Sequence, residues 1–127
     1  MSQVNTLPSA ASHYISLTTA IGMTTLYRSD KEAILATSFQ NQGILPLSET
    51  FNRGAIDTIL AKEGCEGLRI YYGMDENSKV HAIIVPVNED NEDILPPSIN
   101  AEVTGEDIVE EGQRCPDLCP PPSDLNS

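Results

Sequence analysis

The stretch LRIYYGMDENSKVHAIIVPV, residues 68–87, carries two apolar runs rich in aromatic and β-branched side chains around a polar Asp-Glu-Asn-Ser centre. Such runs favour the pleated chain, and Asp, Asn and Ser favour the turn between them, so a β-hairpin is expected with strands at 68–74 and 80–87. The second strand, VHAIIVPV, is apolar at nearly every position. Alternation would leave one face polar if it were solvated, so both of its faces are expected to be covered. Pro86 has no N–H to donate and limits pairing near the strand's end.

Working outward toward the N-terminus, a helix is expected just before the hairpin. Ser48 is a competent N-cap, and Glu49 stands in the first turn, where the helix dipole favours an acid. Phe51, Ala55, Ile56, Ile59 and Leu60 then form one apolar stripe. Gly64 marks a left-handed residue after the helix end, and Gly54 inside it suggests close approach of another backbone. Ile44-Leu45-Pro46-Leu47 reads as extended, because the residue before a proline avoids the helical region. A first helix is expected from the N-cap Ser16, with Leu17, Ala20, Ile21, Thr24 and Tyr27 at helical spacing. Its Gly22 and several threonines are poor helix formers, so packing has to hold it. Residues 1–12 read as an extended arm.

On the other side of the hairpin the composition changes. Of the 127 residues, 19 are acidic and 7 basic, a net charge of −12. Residues 1–87 hold eight acids against six bases, whereas residues 88–127 hold eleven acids against Arg114 alone. Six of the nine prolines also fall in that last segment. The protein is thus a nearly neutral body followed by an acidic, Pro-rich tail. Three domains follow: an arm over 1–12, a globular domain over 13–95, and a tail over 96–127 expected to dock. Scattered apolar residues at 94–97, 99–103 and 107–109 are candidates for a third strand or a short helix. Without clustered Lys and Arg the chain lacks what displaces counterions from phosphates, so nucleic acid is not expected as a partner. Acidic residues also oppose binding to anionic membranes, and no apolar run nears the ~18 residues of a membrane span. Residues 1–11 lack the basic and apolar regions of a signal peptide, which points to a cytoplasmic protein.

Motifs that carry chemistry are few. Cys65, His81, Cys115 and Cys119 make four soft ligands, the number that a tetrahedral zinc site needs. Only the Cys-Pro-Asp-Leu-Cys pair has a short ligand spacing, and Pro116 stiffens it. No other cofactor is expected. The alternatives are that Cys65 is a small buried hydrophobe and that Cys115 and Cys119 are reduced tail thiols or, in an oxidising compartment, a short-loop disulfide. The acidic runs NEDNED (88–93) and 106–111 lack the central Gly and following Glu of an EF-hand loop and read as solvated charge. A Cys65–His81 nucleophile–base pair is conceivable, yet no nucleophile elbow, metalloprotease helix or phosphate-binding glycine loop accompanies it. On the hairpin, alternation places Arg69 and Tyr71 on one face and Ile70 and Tyr72 on the other. Tyr and Arg are enriched at interface hot spots, so Arg69, Tyr71, Tyr72 and Val85 are the candidate interface.

The segments AIDTILAKEGCEG (55–67), LRIYYGMD (68–75), VHAIIVPVNEDNEDIL (80–95) and GQRCPDLCPPPSDLN (112–126) resemble a family of small proteins common in Bacteroidota genomes. SLTTAIGMTTLYR (16–28) resembles that family's opening helix more loosely. The resemblance implies no activity and transfers no catalytic residue, but it implies that the cysteine-bearing tail is part of the design. The expected fold is α+β, with two helices packed on a small antiparallel sheet centred on the hairpin and an acidic tail. The expected function is a non-enzymatic protein-interaction or self-assembly module whose partner is another copy of the chain. A small metal-binding protein using the Cys/His set is the second reading, and a small Cys–His enzyme the third.

Overall fold

The computed structural model describes residues 6–126, with Asn100 through its backbone alone. It is an α+β structure with two helices and two small antiparallel sheets. The elements run α1 (Leu17–Asp30), β1 (Ser48–Thr50), α2 (Arg53–Leu60), β2 (Gly67–Met74), β3 (Val80–Val87) and β4 (Gln113–Cys115), with short 3-10 turns between them. β2 pairs with β3, and β1 pairs with β4. The chain divides into two compact units. The first takes in residues 6–9, Phe51–Gly73 and His81–Glu111; the second takes in 10–50, Met74–Val80 and 112–126. Of the arm expected over 1–12, residues 1–5 lie outside the described residues, as does Ser127 of the tail.

The hairpin forms as its composition dictates. At its tip the Asp75 carboxylate accepts hydrogen bonds from the backbone N–H groups of Asn77 (2.8 Å) and Lys79 (3.0 Å), and Ser78 takes a left-handed φ of 65°. An Asx turn of this kind satisfies backbone donors that the strands cannot reach. Ile84, Val85, Pro86 and Val87 at the end of β3 are buried, while its first four residues are half-buried. Complete coverage of both faces therefore holds for the C-terminal half of the strand only. Loop backbone closes the edge of that half: Ile84 and Val109 exchange hydrogen bonds of 2.7 and 2.9 Å, and Ile94 N–H donates to the Pro86 carbonyl at 2.9 Å. The candidate third strand at 107–109 is realised as that single bridge, and Ser98–Asn100 is one turn of 3-10 helix.

α2 starts later than expected. Its N-cap is Asn52, whose side chain accepts from Gly54 N–H at 2.7 Å, while Ser48 and Glu49 belong to β1. Both Ser and Asn are good caps; the pairing of residues 48–50 with 113–115 removes Ser48 from contention. Gly54 has a local neighbour, because a Cβ there would meet the Asn52 side-chain oxygen at 3.1 Å and no other backbone. Ile59, 1% exposed, is the buried residue of this helix.

In the second unit Ser16 caps α1, its hydroxyl accepting from Thr19 N–H at 3.1 Å. Ala20, Ile21, Thr24, Tyr27 and Arg28 form the half-buried side of α1, and Tyr27 donates its hydroxyl to the Pro46 carbonyl at 2.8 Å. β4 lies antiparallel to β1 with Ser48 opposite Cys115, Glu49 opposite Arg114 and Thr50 opposite Gln113. The tail is thus built into a sheet with its own chain. Arg114 extends from β4 to donate to the carbonyls of Val80 (3.0 Å), Gly43 (3.0 Å) and Ile44 (3.1 Å).

Candidate functional site

The four soft ligands do not assemble. Cys115 and Cys119 are joined by a disulfide, which removes both thiolates from metal chemistry. Cys65 and His81 belong to the first unit, and the disulfide belongs to the second. Among the described residues no group of three or more His, Cys, Asp or Glu side chains is arranged to hold a metal ion. The Cys65 thiol donates to the Gly67 carbonyl within its own turn at 3.2 Å. His81 Nδ1 lies 3.2 Å from Glu110 Oε1. Each member of the suggested Cys65–His81 pair therefore has a partner outside the pair.

The hairpin quartet separates into three fates. Val85 is 2% exposed and packs in the interior of the first unit, so it is not an interface residue. A run of apolar residues in a strand signals burial of both faces at once, which takes those side chains out of reach of a partner. Arg69 and Tyr71 share a face, as alternation requires, and both reach the acidic turn after β3. Arg69 donates to the Asp93 carboxylate and to the Asn91 carbonyl (2.9 Å), and Tyr71 donates its hydroxyl to the other Asp93 oxygen. Burial works against the Arg69 charge, but the neighbouring Asp93 and Tyr71 outweigh it and raise its pKa. The run NEDNED is consequently half a clamp: Asn91 and Asp93 hold β2, while Glu89, Asp90 and Glu92 are exposed. Tyr72 is 78% exposed on the opposite face of β2, with Ile70 and Met74 also exposed.

A larger apolar surface lies where no motif marks it. In the second unit Tyr14, Ile15, Leu17, Met23, Leu26 and Ile34 are all exposed, most of them by more than 60%. α1 carries exposed Met23 at the edge of its half-buried side, four residues before Tyr27, and exposed Leu26 one step further round the helix. Its apolar residues are spread over more than half of the helix surface and are interrupted by a polar sector of Thr18, Thr25 and Ser29, so α1 has no single narrow stripe. The signal was available in the spacing of residues 17–27, but that spacing also matches a helix packed on one side.

Beneath the tail, the same unit holds a mostly apolar cavity of about 440 Å³ lined by Tyr27, Arg28, Leu47, Cys115, Pro121 and Leu125 among others. Arg28 Nη1 donates to the Leu125 carbonyl at 2.6 Å across its rim. Burial raises the pKa of the Tyr27 hydroxyl, with the Glu32 charge adding to the rise and Arg114 opposing it. Glu32 itself is held below the usual carboxylate range by hydrogen bonds from Lys31 and from Asn41 N–H.

No family model, no curated protein and no solved structure matches this chain. Among the described residues no helix is long and apolar enough to cross a membrane.

Proposed function

We propose that the chain is a non-enzymatic self-assembly module in which the outer face of α1, with the segment leading into it, packs against the same surface of a second copy. One observation carries this reading: Tyr14, Ile15, Leu17, Met23, Leu26 and Ile34, close in sequence and within one compact unit, all present apolar area to solvent. Clustered exposed apolar area is the usual mark of a protein–protein contact. The outer face of α1 between Thr19 and Asp30 bears no base, so the contact it offers is apolar rather than ionic. A surface that meets its own copy makes an isologous contact, the arrangement of most homodimers.

Sedimentation velocity on the full chain and on a Met23→Glu/Leu26→Glu double variant tests the reading. Both positions are exposed, so the variant is expected to keep the circular dichroism of the parent. The parent is expected to sediment as a dimer or larger species at micromolar concentration, and the variant to associate at least roughly tenfold more weakly, the effect of about 1.4 kcal/mol. A parent that remains monomeric at every concentration, or a variant that associates as well as the parent, overturns it.

A further inference from the structure

We propose that the Cys115–Cys119 disulfide is a thiol-exchange site for a dithiol reductant, and that its reduction releases residues 120–126 from α1 while β4 stays on β1. The bond is reachable from one side. Cys119 is exposed, whereas Cys115 is buried at 5% exposure. Exchange requires a thiolate to reach one sulfur in line with the bond, so access selects Cys119 as the atom attacked and Cys115 as the leaving group.

The step balances with the reductant named. One thiolate of the dithiol attacks the Cys119 sulfur, the Cys115–Cys119 bond breaks, and Cys115 leaves as a thiolate that takes a proton. The second thiol of the reductant then displaces Cys119 from the mixed disulfide. Two electrons and two protons pass to the protein, and the reductant ends as its own disulfide.

The two sides of the bond are held by different means. On the β4 side, the Cys115 carbonyl accepts from Leu47 N–H at 2.7 Å, and Arg114 is fixed to three carbonyls. None of these bonds involves a sulfur. On the tail side, Leu118 N–H donates to the Arg114 carbonyl at 2.9 Å, Pro116–Leu125 are all exposed, and the hold on α1 includes Arg28 with the Leu125 carbonyl and the apolar rim of the cavity. The disulfide closes, together with the Leu118–Arg114 hydrogen bond, the turn by which the chain leaves β4 on its way to Pro121 and Leu125 beside Tyr27. Cutting it leaves β4 anchored and lets the following residues leave in other directions.

Nuclear magnetic relaxation on the full chain, oxidised and then treated with excess dithiothreitol, reads the outcome directly. In the oxidised protein the amides of Ser123, Leu125 and Asn126 are expected near the order parameter of about 0.85 that marks rigid backbone. In the reduced protein they are expected to fall below about 0.6, while Leu47, Arg114 and Cys115 keep their values. A Cys119→Ser variant is expected to behave as the reduced chain without any reductant, and iodoacetamide followed by mass spectrometry confirms the thiol count in each sample. Equal tail order parameters in the two states overturn the proposal. So does a disulfide that stays intact under dithiothreitol in the folded chain, or a loss of order that includes Leu47 and Arg114.

Discussion

Arg114 is the single base among residues 88–127, and it donates to three backbone carbonyls that come from two other parts of the chain. Hydrogen bonds from a charged donor are worth about 1.5–3 kcal/mol each, although the Ile44 carbonyl would keep a second donor, Val80 N–H at 2.8 Å. Arg114→Met is therefore expected to destabilise the protein by roughly 3 kcal/mol, as a shift of the urea midpoint at unchanged slope. Arg114→Lys keeps the charge but loses the planar fork that serves several acceptors together, so it is expected to recover less than half of the loss. The charge count of the sequence isolates this residue but says nothing of where it goes. Its acceptors Gly43 and Ile44 lie 71 and 70 residues away, and a backbone carbonyl carries no mark in a sequence. The Asp93 partners of Arg69 and Tyr71 were hidden in the same way, since an acid within an acidic run looks like any other.

At the scale of elements, what was legible was local. The hairpin turn, the Ser16 cap and the left-handed Gly64, at φ 79°, follow from short-range rules that need only neighbouring residues. The misplaced start of α2 and the existence of the second sheet depend on β1 meeting β4 across more than sixty residues, which no local rule sees. The stripe of α2 shows the same limit: its residues repeat at helical spacing, yet Ile59 is buried whereas Ala55 and Leu60 are exposed. Ile59→Ala is expected to cost about 3 kcal/mol in a chemical-denaturation measurement, within the usual range for a buried Ile. Leu60→Ala, one position along and 42% exposed, is expected to cost under about 1 kcal/mol because less area returns to water. Similar losses from the two variants would mean that the stripe is buried along its whole width.

At the scale of the whole molecule two opposed properties meet. Among the described residues, twenty large hydrophobic side chains are exposed against six buried hydrophobic ones, so apolar area is available for association. The chain also carries a net charge of −12, and copies of it repel one another at long range. Repulsion between solvent-exposed charges is screened over a Debye length that falls from about 30 Å at 0.01 M salt to about 8 Å at 0.15 M. Contact between apolar faces does not depend on that screening, and strongly hydrated salts reinforce it. Self-association through α1 is therefore expected to strengthen as sodium chloride is raised across this range, with the dissociation constant falling several-fold in sedimentation equilibrium. Were the copies joined by ion pairs instead, the tail's acids against Arg53 or Lys62, the same titration would weaken them. The sign of the salt dependence thus separates an apolar interface from a charged one, and a dissociation constant that rises with salt would remove the α1 face as the contact.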